Sequence, residues 1–162
     1  MDSTIQSLLL AMGILAAAVT IGLARNKRLI REGKIVKRKG SFFEEEELFV
    51  TSASFESVLD ALNRTDLSGA GVTLHPDPGS GQAVLFRSKH GWDSKLSRRE
   101  TGDGKNRFRF AFTAWTTRDG IPWRADTMNM MLTAVEKALL SLDPDATVET
   151  RPMQIRTKHR FI

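Results

Sequence analysis

Arg107-Phe108-Arg109-Phe110-Ala111-Phe112-Thr113-Ala114-Trp115-Thr116-Thr117 is the stretch that decides the fold. Phe108, Phe110, Phe112 and Ala114 share one parity. Arg107, Arg109, Ala111, Thr113 and Trp115 share the other. Successive side chains of a strand point to opposite faces, so this alternation predicts a half-buried strand with its phenylalanines inward. Trp92 to Glu100 reads as the preceding strand, joined through a compact Gly102-Asp103-Gly104 loop. Pairing Thr101 with Lys105 sets the register. Leu96 then opposes Phe110, and Ser94 opposes Phe112, on the inner face. On the outer face Arg99 opposes Arg107, Ser97 opposes Arg109, and Lys95 opposes Ala111. Asp119-Gly120 and Pro122 close the long strand.

The neighbouring segments extend this sheet and supply its cover. Ala83 to Lys89 and Gly71 to His75 read as strands flanking the turn residues Pro76 to Gly81. Leu48 to Thr51 is a short strand. Ser54 is a helix N-cap, followed by Phe55, Val58, Leu59 and Leu62 at helical spacing. A second helix is predicted from Asp126 to Leu142, with Met128, Met131, Leu132, Val135, Leu139 and Leu142 as its apolar stripe. Asp143-Pro144-Asp145 stops it. Thr147 to Thr150 and Met153 to Thr157 are terminal strand candidates. The order predicts an α+β sandwich, a mainly antiparallel sheet with two helices on one face, in a ferredoxin-like variant with an extra hairpin.

The N-terminal part has a different character. Ile5 to Ala24 contains no charged side chain. As a helix it covers roughly 30 Å, the thickness of a bilayer's hydrocarbon core. Arg25, Lys27, Arg28, Arg31, Lys34, Lys37, Arg38 and Lys39 follow it, against Glu32 alone. A cleaved leader carries its positive charge before the apolar run, whereas Met1-Asp2 precedes this one. Basic flanks stay on the cytoplasmic side, so a single-pass helix in the cell membrane is expected, with the N-terminus outside and the C-terminal domain cytoplasmic. Three segments follow: an anchor over 1–24, a basic juxtamembrane linker over 25–43, and the α+β domain over 44–162. Gly13 and Ala17 fit the loose small-residue spacing of packed membrane helices, too common a pattern to argue dimerisation.

The formal net charge of +5 belongs to that linker, and the chain from Gly40 onward is close to neutral. Arg25, Lys27, Arg28 and Arg31 are the candidate contacts for lipid headgroups. The chain has no cysteine, which removes disulfides and thiolate metal sites and suits a reducing compartment. Lys95, Arg99, Arg107, Arg109 and Trp115 are the candidate partner-binding residues on the uncovered sheet face. Arg87 and Lys89 join them if Phe86 points inward. Facing arginines repel, so counter-charge is expected nearby, and Glu44 to Glu47 or Glu149 can supply it. The phenylalanines lie on the buried parity and the RNP1 spacing is missing, which counts against nucleic-acid binding.

Catalytic patterns are absent from the sequence. His75-Pro76-Asp77 and His90-Gly91-Trp92-Asp93 are the combinations that resemble acid–base or metal pairs. The hairpin reading puts their histidines roughly 26 Å apart. Gly79-Ser80-Gly81 lacks the lysine and helix of a phosphate loop, and no nucleophile elbow surrounds a serine. No cofactor or metal is expected. The expectation is therefore a non-enzymatic scaffold or accessory subunit of a membrane assembly, with a protein partner. The alternatives are a ligand-binding or enzymatic domain with a pocket between helices and sheet, or a membrane-linked nucleic-acid binder.

Overall fold

A computed structural model describes residues 3–99, 104–118, 120–153 and 158–161. The chain forms two compact units, Met1–Lys37 and Arg38–Ile162.

The first unit is one long helix, α1 (Ser3–Arg31). Among the described residues it is the one helix long and apolar enough to cross a membrane, over Leu10–Arg31. Leu8, Leu10, Ile14, Leu15, Ile21 and Leu23 are each more than half exposed, and they surround the helix rather than forming a stripe. Thr20 satisfies its hydroxyl within the helix by donating to the Ala16 carbonyl at 2.8 Å. The basic residues Arg25, Lys27, Arg28 and Arg31 are helical and exposed. The helix stops at Gly33, which adopts φ 66°. The Gly33 N–H donates to Ile30 and the Lys34 N–H reaches back to Leu29. These two bonds close the helix end, and the glycine takes the left-handed position they require.

The second unit is α+β. Its strands are β1 (Glu45–Thr51), β2 (Val72–Pro76), β3 (Ala83–Ser88), β4 (Trp92–Arg99), β5 (Asn106–Arg118), β6 (Ile121–Pro122), β7 (Thr147–Pro152) and β8 (Lys158–Phe161). The helices are α2 (Phe55–Arg64), after β1, and α3 (Ala125–Leu142), after β6. The sheet order is β2-β3-β4-β5-β1-β7, antiparallel throughout. β6 pairs with the end of β5, and β8 runs parallel to β5 over Ala114–Thr117. Ser54 caps α2, accepting from the Ser57 N–H at 3.2 Å. Both helices lay their apolar residues on the strands' inner parity. Phe49, Leu62, Phe86, Leu96, Phe108, Phe110, Met128, Met131 and Val135 are wholly buried in one core.

The expected β4–β5 register is present: Leu96 faces Phe110, Ser94 faces Phe112, Lys95 faces Ala111, Ser97 faces Arg109 and Arg99 faces Arg107. Thr101, the Gly102-Asp103 part of the loop, Asp119 and residues 154–157 lie outside the described residues. Two expectations are corrected. Leu142 ends α3 exposed, because the stripe has run past the edge of the core. Trp115 is buried, not on the outer face. The register shifts between Asp93 and Ser94, so Ala114 faces Asp93 and Trp115 faces Trp92, leaving Thr113 as an extra residue. A bulge of this kind inverts the alternation beyond it. Phe43, in the short turn before β1, packs edge-on against Trp115 at 5.4 Å.

Candidate interaction face

The outer face of the sheet carries Lys95, Arg99, Arg107 and Arg109 on adjacent positions of β4 and β5, as their parity predicts. Arg87, whose neighbour Phe86 is fully buried, shares this face and is exposed. β1 completes the ladder, with Glu46 opposite Ala111, Leu48 opposite Arg109 and Val50 opposite Arg107.

Much of the positive charge is answered within the face. Arg109 donates to Glu46 at 2.5 Å, and both side chains are mostly shielded. Lys95 donates to Asp77 at 2.6 Å. Asp77 belongs to the β2–β3 turn and also accepts from the Gly79 N–H at 3.0 Å. The Lys95 bond, then the Gly79 bond, hold its carboxyl below the ordinary range. Ala111, between Lys95 and Glu46 in the ladder, is buried on this nominally open side. Arg99 and Arg107 face each other at the end of the ladder, where Arg99 is exposed.

A second charged group lies on the inner face. Arg38, the first residue of the domain unit, reaches Glu47 on β1 at 2.9 Å and Asn129 on α3 at 3.1 Å. It also donates to Glu136 on α3. The Arg38 and Glu47 side chains are 12% and 6% exposed, so one guanidinium is held between two shielded carboxylates. Glu47 Oε2 is buried, and Glu136 lies beside the carboxyl group. Burial, and then the charge of Glu136, push Glu47 up to about 7 against the opposing pull of Arg38. The composition hid this cluster inside a basic run and an acidic run. Its signal was present, since Glu47 shares the inward parity of Phe49.

Asp143 ties the end of α3 to the end of β1. It accepts from the Ser52 N–H at 2.7 Å, from Thr51 at 2.8 Å and from the Ser52 hydroxyl at 2.9 Å. These bonds hold its pKa down at about 2, the Ser52 N–H acting most strongly.

The histidines are not brought together. His75 faces Leu85 in the β2–β3 ladder, while His90 follows β3 at its far end and lies against Gly71. Burial, then the Arg124 guanidinium, push the His90 pKa down. Among the described residues no group of three or more acidic or histidine side chains could hold a metal. The chain matches no protein-family model and no curated protein.

Proposed function

We propose that this chain is a single-pass membrane protein whose cytoplasmic α+β domain is a non-enzymatic interaction module, a scaffold or accessory subunit of a membrane assembly. One observation carries the reading: the bare apolar circumference of α1, followed by exposed basic residues in its last turns. A helix that is apolar all round needs an apolar medium. Arg25, Lys27, Arg28 and Arg31 then meet anionic headgroups and hold the domain on the cytoplasmic side. We read the order β7-β1-β5-β4, with helices after β1 and after the β5–β6 hairpin, as a ferredoxin-like arrangement widened by the β2–β3 hairpin. Tethering raises the domain's concentration toward other membrane components, so a modest contact area suffices.

Within the outer face, Lys95, Arg99, Arg107 and Arg109 are the residues for an acidic partner. The test uses the intact protein in its membrane. It should resist alkaline extraction, and external protease on sealed cells should spare the domain. The variant Arg99→Glu with Arg107→Glu should lose co-purified protein in mild detergent while keeping its melting temperature. Release at alkaline pH, digestion from outside, or undiminished co-purification would each reject the corresponding part of the proposal.

A further inference from the structure

We infer that β7 is a self-pairing edge through which two copies of this chain join their sheets in antiparallel register about Thr150. Among the described residues β7 ends the sheet, paired with β1 on one side, and all six of its residues are exposed. The Met153 N–H donates to Glu44, in the same register that pairs Arg151 with Glu46 and Glu149 with Leu48. Hydrogen-bonded pairs alternate in an antiparallel ladder, so the backbone groups of Thr147, Glu149 and Arg151 turn toward β1. Those of Val148, Thr150 and Pro152 turn outward.

An outward edge of this kind is a template for another strand. A two-fold axis at Thr150 places Thr150 against its copy as a hydrogen-bonded pair. It also sets the Val148 N–H against the copy's Pro152 carbonyl, giving about four inter-strand bonds in all. Pro152, which has no N–H, falls at the end of this ladder.

The side chains choose this register over its neighbours. Glu149 and Arg151 share the outer face, bonded to each other at 3.1 Å and half exposed. With the axis at Thr150, each Glu149 lies directly opposite the copy's Arg151. Moving the axis by one residue sets Glu149 on Glu149, or Arg151 on Arg151, and like charges directly opposite repel. Val148, 39% exposed, gains the copy's Pro152 as an apolar neighbour on the other face. The edge is thus complementary to itself in charge, hydrogen bonding and shape. This is the isologous contact of a two-fold dimer.

The chain contains no cysteine, so each introduced thiol reports alone. The test oxidises the full-length protein in detergent carrying Thr150→Cys, Glu149→Cys or Arg151→Cys, with Asp60→Cys on α2 as an exposed control. At the axis the Cα atoms of position 150 are about 5.5 Å apart, within disulfide reach. Positions 149 and 151 lie about 8 Å from their own copies, beyond it, but directly opposite each other. Thr150→Cys should therefore give a covalent dimer. Glu149→Cys and Arg151→Cys should each give little alone, and a dimer when the two proteins are mixed. Arg151→Glu should abolish dimerisation, and the charge-swapped pair Glu149→Arg with Arg151→Glu should restore it. Cross-linking at position 150 no greater than at position 60, or equal yields from 149 alone and from the mixture, would overturn the inference. Neither result bears on whether α1 spans a membrane.

Discussion

Glu46 and Glu47 are adjacent on β1, yet they face opposite sides of the sheet. Glu46 points to the outer face and meets Arg109, with a side chain that still touches water. Glu47 points under α3 and meets Arg38, which also holds Glu136, and it is the more shielded of the two glutamates. Both are acidic residues bonded to an arginine. The outer pair matches one carboxylate to one guanidinium, so its charges balance. The inner triad concentrates charge where it is costly to desolvate, so its geometry must stay complete. Chemical type therefore says less about role than parity does.

The largest break in this comparison should come from Arg38→Met. Without the guanidinium, two shielded carboxylates face each other, and the domain should lose about 3–5 kcal/mol in urea unfolding. The next effect should come from pH. Glu47 binds its proton more tightly folded, near pH 7, than unfolded, where a glutamate titrates near 4.3. The folded state therefore holds the extra proton between those values, and stability should fall as pH rises from about 4 to 7. The loss should be on the order of 1–3 kcal/mol. Glu47→Gln should flatten that slope, and a slope unchanged by the substitution would refute the assignment. The smallest effect should come from Glu46→Gln, which keeps an acceptor for Arg109 and should cost about 0.5–1.5 kcal/mol while making the outer face more basic. A cost as large as that of Arg38→Met would erase the distinction between the two faces.

Much of this fold was legible because strand parity and helical spacing are local. The inward phenylalanines of β5, the register opposite β4, the Ser54 cap and the α3 stripe through Leu139 all follow from spacing alone. The basic outer face was legible for the same reason, and so was the expectation of an acidic counter-charge from the Glu44–Glu47 run. What escaped were features made by distant partners. The bulge at Thr113 depends on how β5 meets β4 at their far end, so the reading of Trp115 inverted. Arg38 reads as one more charge of the basic linker, and its bonds to Glu47 and Glu136, far apart in the chain, needed the fold. Asp143 reads as a helix stop in sequence, and its bonds to Thr51 and Ser52 needed the fold to bring them near.

The slipped residue in β5 also equips the protein with an optical gauge. Inverting the alternation sets Trp115 against Trp92, and the Trp92 indole N–H donates to Thr127 at 2.9 Å at the start of α3. Trp123 is 44% exposed, and the chain has no tyrosine. Two of the three indoles that give the unlabelled molecule its ultraviolet emission are thus sealed inside the domain. The colour of that emission would report the loosening of the sheet–helix junction before any dye or tag is added.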